Sequence, residues 1–305
     1  MFQSHIGELS ALLTAIFWSI TALFFESASK KVGSLTVNII RLLMAFVFLS
    51  IYNFIAFHQF FPINVSMHSW IWLSVSGLIG FVIGDYFLFK SYIFIGARVS
   101  MLIMSLSPPI ATLFAFIIMS ETFSLMNFIG MSLTLTGIIF VIIGRENKNQ
   151  EGKNNKKFKF NYSTKGLLLA FGGAIGQAIG LVLSKYGMQD YNPFIASQIR
   201  VIAGMIGFII LFFILRRWDK VFSVVKNKNI MFLIFIGAFF GPFLGVSFSL
   251  MSVKYTGVGI ASTIMAIVPI LIIPLSVIFF KEKINFKDII GTVVAVGGVA
   301  IFFIF

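Results

Sequence analysis

The chain has 305 residues and a formal net charge of +13, with 59% hydrophobic and only 11% charged residues. Soluble domains average about 45–50% apolar and about 25% charged residues, so this composition indicates a protein built for lipid. The chain has no cysteine, which excludes disulfides, thiol catalysis and cysteine-ligated clusters.

The positive charge does not indicate nucleic-acid binding, because the basic residues lie between apolar segments and lack interleaved aromatic motifs. Residues 1–8 contain no Lys or Arg, and no small-residue cleavage site follows the first apolar run. We therefore expect that run to be a retained membrane span and not a cleaved signal peptide.

Ten apolar segments are each long enough to cross the ~30 Å hydrocarbon core as a helix. Helices are required because an open strand would leave its backbone groups unpaired in lipid. The predicted spans are 7–27, 35–57, 69–89, 97–119, 126–144, 165–184, 193–215, 229–252, 257–280 and 286–305. The polar, lysine-rich connector 145–164 is interpreted as a flexible tether between two domains, residues 1–144 and 165–305.

The two halves repeat, with an offset of 161 residues in spans three to five and of 159 in spans one and two. Matched pairs include Gly80 and Gly241, Gly84 and Gly245, Pro108 and Pro269, Glu121 and Glu282, and Arg41 and Arg200. Because each half has five spans, the second half enters the membrane from the opposite side. The pattern predicts an all-α integral membrane protein in which two inverted five-helix repeats surround a central cavity, as in secondary transporters.

Basic residues in the connectors predict the orientation, because cytoplasmic loops carry an excess of Lys and Arg. Of the 23 Lys and Arg residues, only Lys185 and Lys254 follow even-numbered spans, and Arg41 and Arg200 lie inside spans. We therefore expect both termini outside the cell and the 145–164 tether in the cytoplasm, with the chain in the inner or plasma membrane.

Equivalent helices in the two halves present polar or open faces. Thr14, Trp18 and Thr21 share one face of span one, and Gln177 of span six is the counterpart of Trp18. Side chains three, four and seven residues apart share a helix face. We predict that these residues line the cavity; an interior helix contact is the alternative.

Span three carries Asp85 and Tyr86, which we also predict in the cavity. A carboxylate at membrane depth is usually functional, so Asp85 is a candidate for proton coupling. Its alternative is an interfacial pair with Arg98. Glu26 is a second candidate for proton coupling, and its alternative is a surface ion pair with Lys30, four residues later.

Arg41 and Arg200 each lie about a turn and a half inside a span. Inversion of the halves predicts them at opposite mouths of the pathway, where they attract anionic groups. The alternative is snorkelling of both side chains to the lipid headgroups. Glu121 and Glu282 follow spans four and nine and are interpreted as structural.

Pro108 and Pro269 predict kinks at matched positions of spans four and nine, because proline removes a helix hydrogen bond. Such interruptions in both halves point to the binding region of a carrier. Met104 and Ser105 precede the first kink, and Thr263 and Met265 precede the second. These hydroxyls and thioethers suit a small zwitterion, although core packing explains the methionines equally well.

Signatures of enzymes and cofactors are missing from the sequence. There is no phosphate-cradling Gly-Lys-Ser loop, and His5, His58 and His68 do not cluster as metal ligands. We therefore predict no enzyme activity, no cofactor and no metal, with a small-molecule substrate, the bilayer and protons as partners. The sequence does not distinguish a monomer from a homodimer.

Span one (AIFWSITALFFESASKK) and the paired GLIGFVIGDYFLFKSYIFIGARVSMLIMSLSPPIATLFAFIIMSETF and GAFFGPFLGVSFSLMSVKYTGVGIASTIMAIVPILIIPLSVIFFKEKI resemble the drug/metabolite transporter superfamily, in its ten-helix EamA-type branch. The resemblance implies a cavity lined by helices three, four, eight and nine. It also implies export of amino acids or other metabolites. The cavity-facing helices lack the lysine pair of the phosphate-carrying branches. The alternative function is a membrane scaffold or an intramembrane enzyme.

Overall fold

The computed structural model describes residues 5–146, 163–280 and 286–304. Most of the predicted tether, and Glu282, lie outside these ranges, and so does the side chain of Arg98. No strand occurs in the described ranges. The helices are α1 (Ile6–Val32), α2 (Ser34–Phe57), α3 (Met67–Gly77), α4 (Tyr86–Met104), α5 (Ser107–Met119), α6 (Leu125–Glu146), α7 (Thr164–Met188), α8 (Pro193–Leu215), α9 (Trp218–Val225), α10 (Lys228–Ala238), α11 (Val246–Tyr255), α12 (Val258–Met265), α13 (Val268–Phe280) and α14 (Phe286–Ile304).

All of these helices except α9, which lies between spans seven and eight, contribute to the ten predicted spans. In the described part of the chain, seven helices are long and apolar enough to cross a membrane, and three shorter apolar helices occupy the positions of spans five, nine and ten. Ser66, Ser163, Asn192 and Asn227 begin α3, α7, α8 and α10, and each side chain accepts a hydrogen bond from a first-turn amide. Such caps satisfy amides that have no partner inside the helix.

Spans three and eight contain π-helical segments at equivalent positions. Leu78–Asp85 joins α3 to α4, and Phe239–Gly245 joins α10 to α11. The sequence pattern did not predict these segments. They matter because a π-helical turn changes the direction in which the following side chains point, and such turns are frequent at functional sites. Asp85 is the last residue of the first segment.

Spans four and nine are interrupted at equivalent positions, next to the prolines at which kinks were predicted. The backbone leaves the helix between α4 and α5 and again between α12 and α13. Pro108 lies in the first turn of α5, where proline is well tolerated because the first amides of a helix have no intrahelical acceptor. Helix α4 contains the end of span three and the start of span four. Between these two parts the backbone is not helical at Gly96, which has φ of 75°, a conformation that glycine adopts without the strain of a side chain.

Equivalent helices of the two halves run antiparallel, which confirms the inverted repeat. In spans four and nine, Ser105 contacts Ala266 while Thr112, further along its helix, is close to Gly259, nearer the start of span nine. In spans five and ten, Thr134 lies against Gly298 and Gly137 lies against Ala295, with the same reversal. The halves are therefore related by a pseudo-twofold axis, as predicted for an odd number of spans in each half.

Glycines allow the halves to pack closely. A Cβ placed on Gly176 of span six would lie 2.7 Å from the Gly84 Cα of span three, and one placed on Gly180 would lie 3.1 Å from the Gly80 Cα. Distances below 3.0 Å leave no room for a side chain, so at Gly84 the two backbones touch directly. In span eight, Gly241 and Gly245 leave room for the side chains of Thr21 and Trp18 of span one.

Candidate functional site

A cavity of about 110 Å³ lies between the two halves. Both interrupted helices border it: Ser105 and Pro108 of span four face Ala266 and Pro269 of span nine. Its remaining lining comes from spans one, two, three, six, seven and eight. The volume is enough for several water molecules but lies below the ~300–1,000 Å³ typical of pockets for organic ligands.

A buried ion pair forms part of the cavity lining. Arg41 of span two donates from its terminal nitrogen to one Asp85 oxygen, and Gln177 of span six donates to the other. The Arg41 Nε also donates to Asn38 Oδ1 at 2.9 Å. The Asp85 carboxylate therefore joins spans two and three of the first half to span six of the second half.

Aromatic rings surround the Arg41 guanidinium. Its central carbon lies 4.7 Å from the Phe89 ring centroid, 5.5 Å from that of Phe25 and 5.6 Å from that of Phe81. A guanidinium within about 6 Å of a ring centroid is attracted by the electrons of the ring face. These contacts hold Arg41 in the protein interior, where its side chain is 4% exposed.

Arg200 of span seven also lies against Phe81. Its guanidinium carbon is 4.9 Å from the Phe81 ring centroid, so both arginines contact this ring. The backbone of span seven is held close at this point, because a Cβ on Gly77 of span three would clash with the Arg200 carbonyl. The Arg200 side chain is buried and lines the cavity.

The structure brings together most of the residues that the sequence placed in the cavity. Trp18, Thr21, Gln177, Asp85, Met104, Ser105, Met265, Pro108 and Pro269 all line it. Trp18 and Gln177 are equivalent residues, so each half contributes the same position of its first helix. The polar groups of the lining are largely bonded to the protein: the Ser105 hydroxyl, for example, donates to the Met101 and Ala266 carbonyls.

Three predicted cavity residues lie elsewhere. Thr14 is one turn from Trp18, but span eight covers it there, and its hydroxyl donates to the Ser10 and Gly245 carbonyls. Thr263 is fully buried and donates to the Gly259 carbonyl at 2.6 Å. Tyr86 is not part of the cavity lining, and its hydroxyl accepts a hydrogen bond from Lys90.

The expected positions of the arginines at opposite mouths, and their snorkelling to headgroups, are both wrong. Arg41 and Arg200 are each 3% exposed and both line the central cavity. Hydrophobicity along the chain indicates how far along a membrane span a residue lies, but it does not indicate whether the residue faces the lipid or the protein interior. Asp85 pairs with Arg41, 44 positions earlier in the chain, and not with a residue near the end of its own span.

Glu26 lies outside the cavity lining, in an ion pair with Lys30 at 2.6 Å. Glu121 links both halves at the membrane end where α1 begins, which we call the Glu121 end. One of its oxygens lies 2.7 Å from Lys185 Nζ, and the other accepts a hydrogen bond from the Val258 amide at 2.9 Å. Lys185 also donates to the Thr256 carbonyl. The structural role expected for Glu121 therefore fits its contacts.

Several cavity residues were not singled out from the sequence, among them Phe81, Leu88, Phe89 and Tyr92. Together with Asp85 they recur at intervals of three and four residues, the spacing of one helix face. Asp85 marks that face, and the periodicity around it is the signal that could have identified them. No group of three or more His, Asp or Glu residues suitable for a metal occurs in the part of the chain that the structure describes.

The model of the EamA-like transporter family matches residues 5–143 and 164–304. No curated protein has a significant match to the sequence. A crystal structure of another protein superposes with a TM-score of 0.68 and 15% sequence identity, over 98% of this chain and 96% of that chain. At this identity the likeness shows the fold alone.

Proposed function

Since the chain belongs to the EamA-like transporter family, we propose that it is a secondary carrier that exports a small polar or amphipathic metabolite of amino-acid size by alternating access. Family membership makes the chain a multi-pass membrane transporter. The observation that carries the finer proposal is the cavity between the inverted halves, bordered by both interrupted helices and three charged side chains.

Alternating access follows from the geometry of the repeat. Inverted halves can exchange conformations, so that a central site opens first to one face and then to the other. At the Glu121 end, contacts of Glu121 with Lys185 and Val258 hold spans four, six and nine together. We expect these contacts to separate when the cavity opens to that end.

The proposal is tested with purified protein in liposomes. We expect uptake that saturates with solute concentration for at least one member of a panel of amino acids, organic acids, amines and sugars. Protein-free liposomes are the control. Asp85 is the described carboxylate of the cavity and thus the candidate for proton coupling, which the effect of an imposed pH gradient on the same flux tests. Absence of saturable flux across the whole panel would contradict the carrier and favour a scaffold or an intramembrane enzyme.

We also propose that both termini lie outside the cell and that the 145–164 connector is cytoplasmic. Exposed basic residues at the membrane end opposite Glu121, including Lys30, Lys31, Arg216 and Arg217, support this orientation. The natural absence of cysteine permits a direct measurement with a single cysteine introduced by Asn154→Cys. We expect it to react with a membrane-impermeant thiol reagent only after the cells are opened; reaction in intact cells would reverse the orientation.

A further inference from the structure

Arg200 is a buried cation of the cavity without a direct ion pair; Asp85 interacts with its charge but forms no ion pair with it. Its Nε has no hydrogen-bond partner, and the residue forms no ion pair or hydrogen bond with any residue that the structure describes. Its short-range contacts are with the Phe81 ring and the glycine-lined face of span three. A buried charge without a partner is costly and usually marks a functional site in a membrane protein.

The internal repeat shows what Arg200 lacks. Its counterpart Arg41 is bonded to Asn38 and Asp85. The residues equivalent to these two partners in the second half are Ser197 and Val246. Neither bonds to Arg200, and the buried Ser197 hydroxyl has no partner either. The second half therefore has the guanidinium but lacks both groups that bind it in the first half.

The cavity consequently carries one excess positive charge. Of its described lining residues, Arg41 and Arg200 are cationic, and Asp85 is the one carboxylate. Both Asp85 oxygens already accept hydrogen bonds, one from Arg41 and one from Gln177. The cavity thus offers an unpaired cation to a ligand but no unpaired anion.

Building on the carrier function proposed above, we propose that the substrate is a small monocarboxylate and that its carboxylate binds Arg200. A guanidinium binds a carboxylate through two parallel hydrogen bonds, and one negative charge neutralises the excess charge. Phe81, Leu88 and Met265 supply apolar surface for the remainder of the molecule. An ammonium group on the substrate is expected to add no affinity, because the described cavity lining has no unpaired carboxylate to bind it.

A phosphate ester fits this charge less well. It carries about −1.5 to −2 charges near pH 7, which would leave the cavity with an excess negative charge. The charge of the ligand, rather than its shape, therefore distinguishes the two classes of anion. A four-carbon series that varies in charge at nearly constant size provides suitable probes.

The experiment measures binding of butanoate, butanedioate, 2-aminobutanoate and butylamine to the purified protein by titration calorimetry at neutral pH. We expect butanoate to bind most tightly. Arg200→Gln is expected to weaken butanoate binding by at least about 30-fold, the usual effect of removing one partner of a buried charge pair. Arg217→Gln makes the same chemical change at an exposed position beyond span seven and is expected to leave binding unchanged.

A second pair of variants tests the same inference without removing the guanidinium. Val246→Asp gives the second half the carboxylate that the first half has in Asp85, and we expect it to pair with Arg200 and abolish butanoate binding. Val246→Asn has nearly the same shape as Val246→Asp without the charge and is expected to weaken binding much less. Loss of binding in both variants to the same degree would overturn the assignment to charge.

Tighter binding of 2-aminobutanoate, butylamine or butanedioate than of butanoate would also overturn the proposal, and so would failure of every probe to bind. These failures differ from failure of the carrier proposal. If the liposomes take up another solute and butanoate binding does not depend on Arg200, only the monocarboxylate assignment is wrong. If butanoate binds through Arg200 but no solute crosses the membrane, only the carrier function is wrong.

Discussion

Asp85→Asn is expected to lower the free energy of unfolding by about 3–5 kcal/mol, the usual cost of removing one partner of a buried ion pair. The asparagine keeps the shape of the side chain but leaves Arg41 and Arg200 as two buried cations without a carboxylate. It also removes the charged acceptor that Gln177 of the other half binds. Both the first half and its contact with span six are therefore weakened.

The measurement is unfolding in mixed micelles of mild and denaturing detergent, followed by the loss of helical circular dichroism. Asp219→Asn removes an exposed carboxylate from α9 and serves as the matched control. The double variant Asp85→Asn with Arg41→Gln removes both charges, and we expect it to be more stable than Asp85→Asn alone. Equal losses in Asp85→Asn and Asp219→Asn would show that the pair contributes nothing to stability.

A covalent link between spans four and nine at the Glu121 end is expected to abolish transport. A Cβ placed on Gly259 would lie 2.6 Å from the Thr112 hydroxyl oxygen, so cysteines at these two positions are within reach of a disulfide. The link joins spans four and nine at positions between the cavity and the Glu121 contacts. If the cavity opens to that end during transport, these helices must separate there.

The test uses the double variant Thr112→Cys with Gly259→Cys, in a chain that has no other cysteine. Oxidation is expected to remove the saturable flux in liposomes, and reduction is expected to restore it. Each single-cysteine variant under the same oxidation controls for damage and for the substitutions themselves. Undiminished flux in the fully cross-linked protein would show that this end does not open during transport.

The sequence was sufficient to predict the fold, because the bilayer imposes both the length and the type of each span. The matched prolines also located the interruptions, since the missing backbone hydrogen bond is a local property of proline. Trp18, Thr21 and Gln177 were predicted to line the cavity from helix periodicity, and the structure places them there. Thr14 lies on the same helix face but does not reach the cavity, because span eight packs over it.

The charged centre could not be predicted in the same way. The pairing of Arg41 with Asp85 depends on how span two packs against span three and on the π-helical segment that ends at Asp85. Neither feature has a local sequence signal as clear as the one by which a proline marks an interrupted helix. The comparison of the two halves did contain a usable signal, because Asp85 and Val246 differ at an otherwise matched position.

Access to the cavity from both faces of the membrane is the most direct test of this account. Ser105→Cys places a thiol in the cavity lining of a cysteine-free chain, and its reaction with an impermeant thiol reagent is measured in right-side-out and inside-out vesicles. We expect labelling from both faces, and protection by butanoate in each case. Labelling from one face alone, or from neither, would contradict a central site that opens alternately to the two sides.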